Sequence, residues 1–215
     1  MNQPAAHLGV IPVATAWTQG WWLTRDKAAP LVRPYGCAFN LGLPDNLERH
    51  VVIDFKADVL RELASRLHMP GTWLKVCAPA EQVAPLLPPR WRVQPAEYLM
   101  AQTLYQTTIA VPDGYRPTVR TVGPVTDVEL RGGHDEMAAK GRVAHTDGFA
   151  VFDHIETSPR HQRKGLGRVV MATLSDSALA HGARTGVLLA TEEGRALYHA
   201  IGWTVVSPVT AAVIV

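Results

Sequence analysis

The residues whose types and spacing could do chemistry lie in one short run. Gln162-Arg163-Lys164-Gly165-Leu166-Gly167 follows a strand-like stretch that ends at Thr157 and precedes a stretch of helical periodicity. Between Arg160 and Arg168 the chain carries Arg160, His161, Arg163, Lys164 and Arg168 with no acid among them. Gly165 and Gly167 remove the side chains that keep oxygen atoms away from a backbone, and the first amides of a helix point outward along the positive end of its dipole. The run therefore reads as a cradle for a compact polyanion such as a nucleotide pyrophosphate. A P-loop needs Gly-x-x-x-x-Gly-Lys followed by Ser or Thr. A dinucleotide fold needs a third glycine and alternating parallel strands. Neither pattern is present.

The elements around this loop are predicted from periodicity and turn chemistry. Residues 125–130, 136–143 and 149–157 have strand character, joined by Gly132-Gly133 and by Asp147-Gly148, a hairpin signal. Ser158-Pro159 ends the third strand. Leu166, Val169, Val170, Thr173, Leu174 and Ala178 then recur at helical spacing, with Gly182 as the stop. A strand over 186–190 and a helix over 192–200 follow, the helix capped by Thr191 and started by Glu192 and Glu193. Gly202 ends it, and two strands, 203–206 and 209–215, complete the chain. This order predicts a mixed, mainly antiparallel sheet with helices packed on both faces, an α/β fold of α+β type.

The first half holds a fainter copy of the same order. A strand over 50–55 leads to a helical face of Val59, Leu60, Leu63 and Leu67, then to a strand over 73–77, a short helix over 82–87 and another strand at Trp91. The spans from Gly71 to Trp91 and from Gly182 to Trp203 are nearly equal, which reads as a duplicated fold half. The chain divides on this reading into 1–112 and 113–215. Where the second half has its glycine loop, the first has Asp54-Phe55-Lys56-Ala57-Asp58, without glycine and with two acids. That copy is expected to serve as scaffold or as a wall of the acceptor pocket, leaving one cofactor per chain.

Two segments carry a family resemblance. His154-Ile155-Glu156-Thr157-Ser158-Pro159-Arg160-His161-Gln162-Arg163-Lys164-Gly165-Leu166-Gly167 resembles the acyl-CoA signature of GNAT acyltransferases, whose core is Gln/Arg-x-x-Gly-x-Gly/Ala. Glu193-Gly194-Arg195-Ala196-Leu197-Tyr198-His199-Ala200-Ile201-Gly202-Trp203 is similar to the later family motif of a helical tyrosine followed by a Gly-aromatic pair. The likeness spans roughly 115–215 and is strongest to the FR47-like branch, whose N-terminal half is also a worn copy. Two departures stand out: the usual first two helices are missing from this half, and Trp203 stands where phenylalanine is more usual.

The resemblance implies an enzyme that moves an acetyl group from acetyl-CoA to a primary amine of a small molecule by direct attack, without a covalent enzyme intermediate. Ile155, Glu156 and Thr157 would meet the pantetheine arm, and Gln162, Arg163, Lys164, Gly165, Leu166, Gly167 and Arg168 would hold the pyrophosphate. Tyr198 would protonate the leaving thiolate as general acid. Asp153 is the expected base, because strand alternation puts it on the face of Ile155 and Thr157. His154 and Glu156 point the other way unless a bulge intervenes, and His145 is a further candidate. The alternative is a GNAT-fold module that binds acyl-CoA or a partner without turnover. No metal is implied. Amino acid, polyamine, antibiotic amine and protein N-terminus remain open as acceptors.

Composition bounds the rest. The 215 residues can bury a core without disulfides, and Cys37 and Cys77, the two cysteines, lie in apolar stretches that read as buried thiols of a reduced compartment. Net charge is +2 with mixed signs, which gives no support for a nucleic-acid surface. Met1 to His7 lack a basic start, Pro12, Thr15, Thr18 and Gln19 interrupt the apolar run that follows, and no stretch approaches a membrane span. A soluble, cytoplasmic protein is expected, with a homodimer allowed. Trp17, Trp21 and Trp22 cluster in this run, and Trp17 and Trp21 share a helical face as a core anchor or an aromatic wall for an amine.

Overall fold

The computed structural model describes residues 8–215, so the reading of Met1 to His7 lies outside the described residues. In chain order the elements are α1 (Val10–Thr24), β1 (Leu31–Arg33), β2 (Gly36–Leu43), β3 (Asn46–Val52), α2 (Ala57–Arg66), β4 (Thr72–Val76), α3 (Ala80–Val83), β5 (Trp91–Val93) and β6 (Glu97–Thr103). There follow β7 (Arg116–Val122), β8 (Val125–Arg131), β9 (Met137–His145), β10 (Phe149–Thr157), α4 (Leu166–Ala180), β11 (Thr185–Thr191), α5 (Glu192–His199) and β12 (Thr204–Ile214). The strands form one open sheet in the order β1-β2-β3-β4-β12-β6-β11-β10-β9-β8-β7, with β5 paired to β12.

Among the described residues only two neighbouring pairs are parallel, β3 with β4 and β10 with β11. Each is bridged by a helix, α2 in the first case and α4 in the second, so the two halves repeat one β-α-β unit. What completes each unit comes from the other half. β11 pairs antiparallel with β6, a strand of the first half, and β4 pairs antiparallel with the far end of β12. The tail read as two strands, 203–206 and 209–215, is therefore one strand. β12 absorbs Ser207-Pro208, left between the two predicted strands, with a register irregularity between Val205 and Ser207, and continues from β6 to β4.

The sheet buries three cores. Leu166, Val169, Val170 and Leu174 of α4 pack with Tyr198 and Trp203 over β8–β11. Leu60 and Ala64 of α2 pack over the first half. On the opposite face α1 sits across the junction, its Val13, Trp17 and Trp21 against Cys37, Phe39 and Val51 of one half and Leu99, Val151 and Val187 near or within the other. This places Trp17 and Trp21 in the core. Pro12 does not break α1, because a proline in the first turn removes an N–H that has no helical partner there. Gly20 sets the depth of docking: a Cβ at that position would lie 2.3 Å from the side chain of Val151. Both thiols are buried, which pushes Cys37 up to about 11 and Cys77 up to about 12.

Candidate active site

The site begins with a fault in β10. Asp153 opposes Arg142 and Glu156 opposes Lys140, so one extra residue is inserted opposite β9, and His154 takes φ 53°. Strand alternation is broken there. Val151 belongs to the core under α1, Phe152 to the core under α4, and Ile155 packs with the α4 core beside Gly141. Asp153 reaches Thr24 and Arg25 at the end of α1. The expectation that Asp153 and Ile155 share a face is thus corrected, with the bulge as the cause.

The same segment splays from its neighbour. β10 pairs with β11 only from Phe149 to Val151, after which its β11-facing backbone edge has no strand partner. A cavity of about 280 Å³ opens there, lined by Asp153, His154, Ile155 and Glu156 on one side and by Leu188, Ala190, Thr191, Gly194 and Tyr198 on the other. Tyr198 is brought to it by α5, whose start is capped by Thr191 Oγ1 accepting from the Gly194 N–H at 3.2 Å. Burial, then the nearby Asp153 carboxylate, pushes the phenol up to about 12. It holds its proton throughout the neutral range. Trp203 packs edge-on against Phe152 at 5.3 Å between centroids, and a Cβ on Gly186 would come within 2.7 Å of its ring. The larger ring at this position is accommodated by that glycine.

Asp153 is heavily engaged. Its carboxylate accepts from Thr24 Oγ1 at 2.9 Å and from Arg25 Nη2 at 3.1 Å, forms an ion pair with Arg25 Nε at 3.0 Å, and accepts the His154 N–H through one oxygen at 2.9 Å. His154 Nε2 lies 3.7 Å from the same carboxylate. Burial and the guanidinium groups of Arg25 and Arg142 outweigh the two nearby carboxylates, so the imidazole is held below its usual range. His154 also lines two further cavities, one of about 650 Å³ against β7–β9 and one of about 280 Å³ beneath α1. Glu156 turns outward to Lys140 at 3.1 Å. His145 is not in this group: it stacks on His181 at 4.1 Å and bonds Thr126 at 3.0 Å, at the other end of its hairpin.

The glycine loop meets α4 as its composition requires. Gly165 is the N-cap residue in the left-handed region (φ 76°), and Arg163 is also left-handed at φ 63°. Arg168 and Val169 donate to the Gly165 carbonyl at 3.0 and 3.3 Å, which leaves the N–H groups of Gly165, Leu166 and Gly167 without a helical acceptor. Gln162, Arg163, Lys164 and Arg168 are exposed, whereas Leu166 is buried in the core. A Cβ on Gly167 would touch only Thr157 Oγ1 and Leu197, at 3.7 and 3.8 Å. From behind, the loop is propped by Tyr115, whose hydroxyl lies 3.1 Å from Lys164 Nζ and 2.9 Å from Nδ1 of buried His161. His161 Nε2 in turn meets Glu136 at 3.0 Å. These free amides, with basic side chains and no acid between Thr157 and Arg168, fit a pyrophosphate.

Arg25, Thr24 and Arg142 had no local signature. α1 brings the first two to β10 from more than a hundred positions away, and Arg142 ties the arrangement together by donating to the Thr24 carbonyl and pairing with Asp127 at 2.7 Å. Helix α1 thereby covers a stretch of the second half's sheet in which the sequence shows no early helices of its own. Among the described residues no group of His, Cys, Asp and Glu could hold a metal ion, and no helix is long and apolar enough to cross a membrane.

Residues 128–203 match the model of the acetyltransferase (GNAT) family, from within β8 to the residue before β12. No curated protein matches the sequence. The structure is similar to a GCN5-related N-acetyltransferase from Kribbella flavida, with TM-score 0.66 and 15% identity over 96% of this chain and 96% of that one. It is similar also to a GCN5-related N-acetyltransferase from Sphaerobacter thermophilus, with TM-score 0.58 and 14% identity over 82% and 75% of the two chains. A tandem GNAT protein from the clavulanic acid biosynthesis pathway shares the fold at TM-score 0.54 and 15% identity, over 73% and 67%. At these identities the likeness concerns the fold. The splayed strand, the glycine loop and the matched segment thus converge: the chain has a GNAT fold, and its residues 128–203 match the acetyltransferase (GNAT) family model.

Proposed function

We propose that the protein transfers an acetyl group from acetyl-CoA to a primary amine of a small molecule. The observation that carries this reading is the junction of the β10/β11 gap, the exposed amides of the α4 start and Tyr198 at one end of the molecule. Gln162, Arg163, Lys164, Gly165, Leu166, Gly167 and Arg168 hold the pyrophosphate, and the unpaired edge of β10 at Ile155, Glu156 and Thr157 offers backbone groups to the amides of the pantetheine arm. When bound, acetyl-CoA supplies an activated acyl carbon and a thiol leaving group.

The chain's own groups then position and move protons. Tyr198 keeps a proton for the departing sulfur. The proton of the attacking amine passes to His154, which the bulge aims into the cleft in neutral form, with Asp153 fixed beside it by Arg25. Asp153 in this reading positions His154 instead of accepting the proton first, since its oxygens are already shared among Thr24, Arg25 and the His154 N–H. Residues 113–215 form the cofactor-binding half, and 1–112 supply a wall of the acceptor pocket through Leu41, Leu43, Asn46 and Arg49, which face Arg142 and His154.

The engaged state of Asp153 also supports a second reading, a module that binds acyl-CoA without turnover. One pair of measurements separates them. Acetyl-CoA is expected to raise the thermal midpoint, and free thiol is expected to appear when a panel of primary amines is added. Stabilisation without thiol release from any amine favours the module; no stabilisation at millimolar acetyl-CoA removes both.

A further inference from the structure

Beneath α1, next to the Tyr198 cleft, lies a second cavity of about 280 Å³. Its lining includes four cationic side chains, Arg25, Lys27, Arg49 and Arg142, with Trp21 and His154, and contains no carboxylate. Two of the cations are already spent, Arg25 on Asp153 and Arg142 on Asp127. Arg49 is different. Its guanidinium lies over the ring of Trp21 at 4.8 Å and over that of Trp73 at 5.8 Å, and among the described residues it has no ion-pair or hydrogen-bond partner. Its Nε is buried without an acceptor. An unpaired donor in such a place costs stability unless a ligand or water meets it. Burial, then Arg25, holds the group down to about 10, so it is still a cation at neutral pH.

The cavity is continuous in its lining with the reaction cleft, because Arg25 and His154 face both. A small molecule anchored at Arg49 therefore extends toward the group placed to take the amine proton. A polyamine would meet four like charges and no carboxylate in this lining. We propose that Arg49, assisted by Lys27, binds an anionic group of the acceptor, a carboxylate or a phosphate, so that the acceptor is an acidic small amine. This rests on the acyl-transfer reading above and names its substrate class. Arginine suits the role, since its planar fork meets either oxyanion with two parallel hydrogen bonds while its cation stays over the two tryptophan rings.

The test uses the full chain and reads the tryptophan beside the guanidinium. Acetate and inorganic phosphate are titrated while intrinsic tryptophan fluorescence is followed, in wild type and in Arg49→Gln and Arg49→Lys, each checked for an unchanged circular dichroism spectrum. A saturable change in wild type that weakens at least tenfold in Arg49→Gln and less in Arg49→Lys is expected. Saturation by acetate assigns a carboxylate, and saturation by phosphate alone assigns a phosphate. Thiol release from acetyl-CoA is then compared for amines differing only in the anion: α-amino acids against their methyl esters, and phosphoethanolamine against ethanolamine. The anionic member is expected to be favoured at least tenfold in kcat/KM, through KM, and Arg49→Gln to abolish that preference while leaving the thermal shift by acetyl-CoA intact. No saturable response to either anion, an equal response in Arg49→Gln, or a preference for the neutral amine overturns the proposal. Loss of the acetyl-CoA shift in wild type instead overturns the acyl-transfer reading and leaves the anion measurement standing by itself.

Discussion

At the scale of single residues the site is governed by which groups hold a proton at neutral pH. Tyr198 does, because burial and Asp153 push it up to about 12. Tyr198→Phe is therefore expected to slow thiol release by about a hundredfold or more, the usual worth of a positioned acid, with acetyl-CoA binding little changed; full rate in that variant would remove the acid assignment. His154 does not, because burial lowers it. In the proposed mechanism its neutral form is the active one, so the rate should rise with pH through a midpoint below the usual 6.5 of an imidazole and stay flat through neutrality. A pH–rate profile of His154→Ala should lose that rising limb, and a profile that keeps it assigns the limb to another group. In the loop, Gly167→Ala meets only ordinary contacts at 3.7 and 3.8 Å, so the fold should survive while a Cβ intrudes where phosphate oxygens approach. Its effect should appear as weaker acetyl-CoA binding, about tenfold, at an unchanged thermal midpoint; a lowered midpoint with unchanged affinity would show that this glycine serves only the turn. The glycine loop at the start of α4 was legible in the sequence because its geometry depends on a local spacing of glycines. Arg25 and Arg49 were not, because nothing local marks a side chain whose partner arrives from another element.

At the scale of elements, docking and faults decide where these residues go. Helix α1 reaches the second half only because Gly20 presents no Cβ to Val151. Gly20→Ala removes a flexible residue from a helix, which by itself stabilises by roughly 1 kcal/mol. The 2.3 Å approach to a short, branched side chain opposes it, and overpacking of about 1–3 kcal/mol should prevail. Urea denaturation is expected to show a net loss, and a gain would mean that α1 shifts freely. The β9–β10 hairpin carries a second, pH-dependent element. His145 is lowered to about 4 by burial, then by His181. Because the folded value lies below that of the unfolded chain, this contribution is complete above about pH 6.5 and is lost as pH falls toward 4. The urea midpoint should drop across that window, and the drop should be smaller in His145→Gln; equal drops would assign the pH dependence elsewhere. The meander, α4 and α5 were readable from periodicity and caps. The bulge at His154 was not, since an extra residue in one strand is defined only by its register against β9.

For the whole molecule, exchange of strands between two similar halves is the dominant fact. β6 completes the sheet beside β11 and the end of β12 completes the one beside β4, so neither 1–112 nor 113–215 contains all the strands of its own unit. Expressed apart, each fragment is expected to lack a cooperative thermal transition, and co-expression is expected to restore one; independent melting of either fragment would refute this dependence. Across the same seam, buried Lys75 of β4 pairs with Glu97 of β6. Glu97→Ala should cost about 3 kcal/mol by leaving a buried ammonium unpaired, while Lys75→Met with Glu97→Leu should be nearly neutral, as read by denaturant midpoints. The sequence by itself determined the local matters: the basic glycine loop, the hairpin before it, the helix that carries Tyr198, and a fainter repeat of the same order. These rest on contacts within a few residues, whose types and spacing suffice. Only the tertiary structure decided that α1 covers the second half, that the bulge turns His154 toward the cleft and Asp153 toward Arg25, and that Arg49 stands unpaired between two tryptophans. Each of these depends on packing or pairing between residues that are not neighbours in sequence, where register and the absence of a single Cβ determine the geometry.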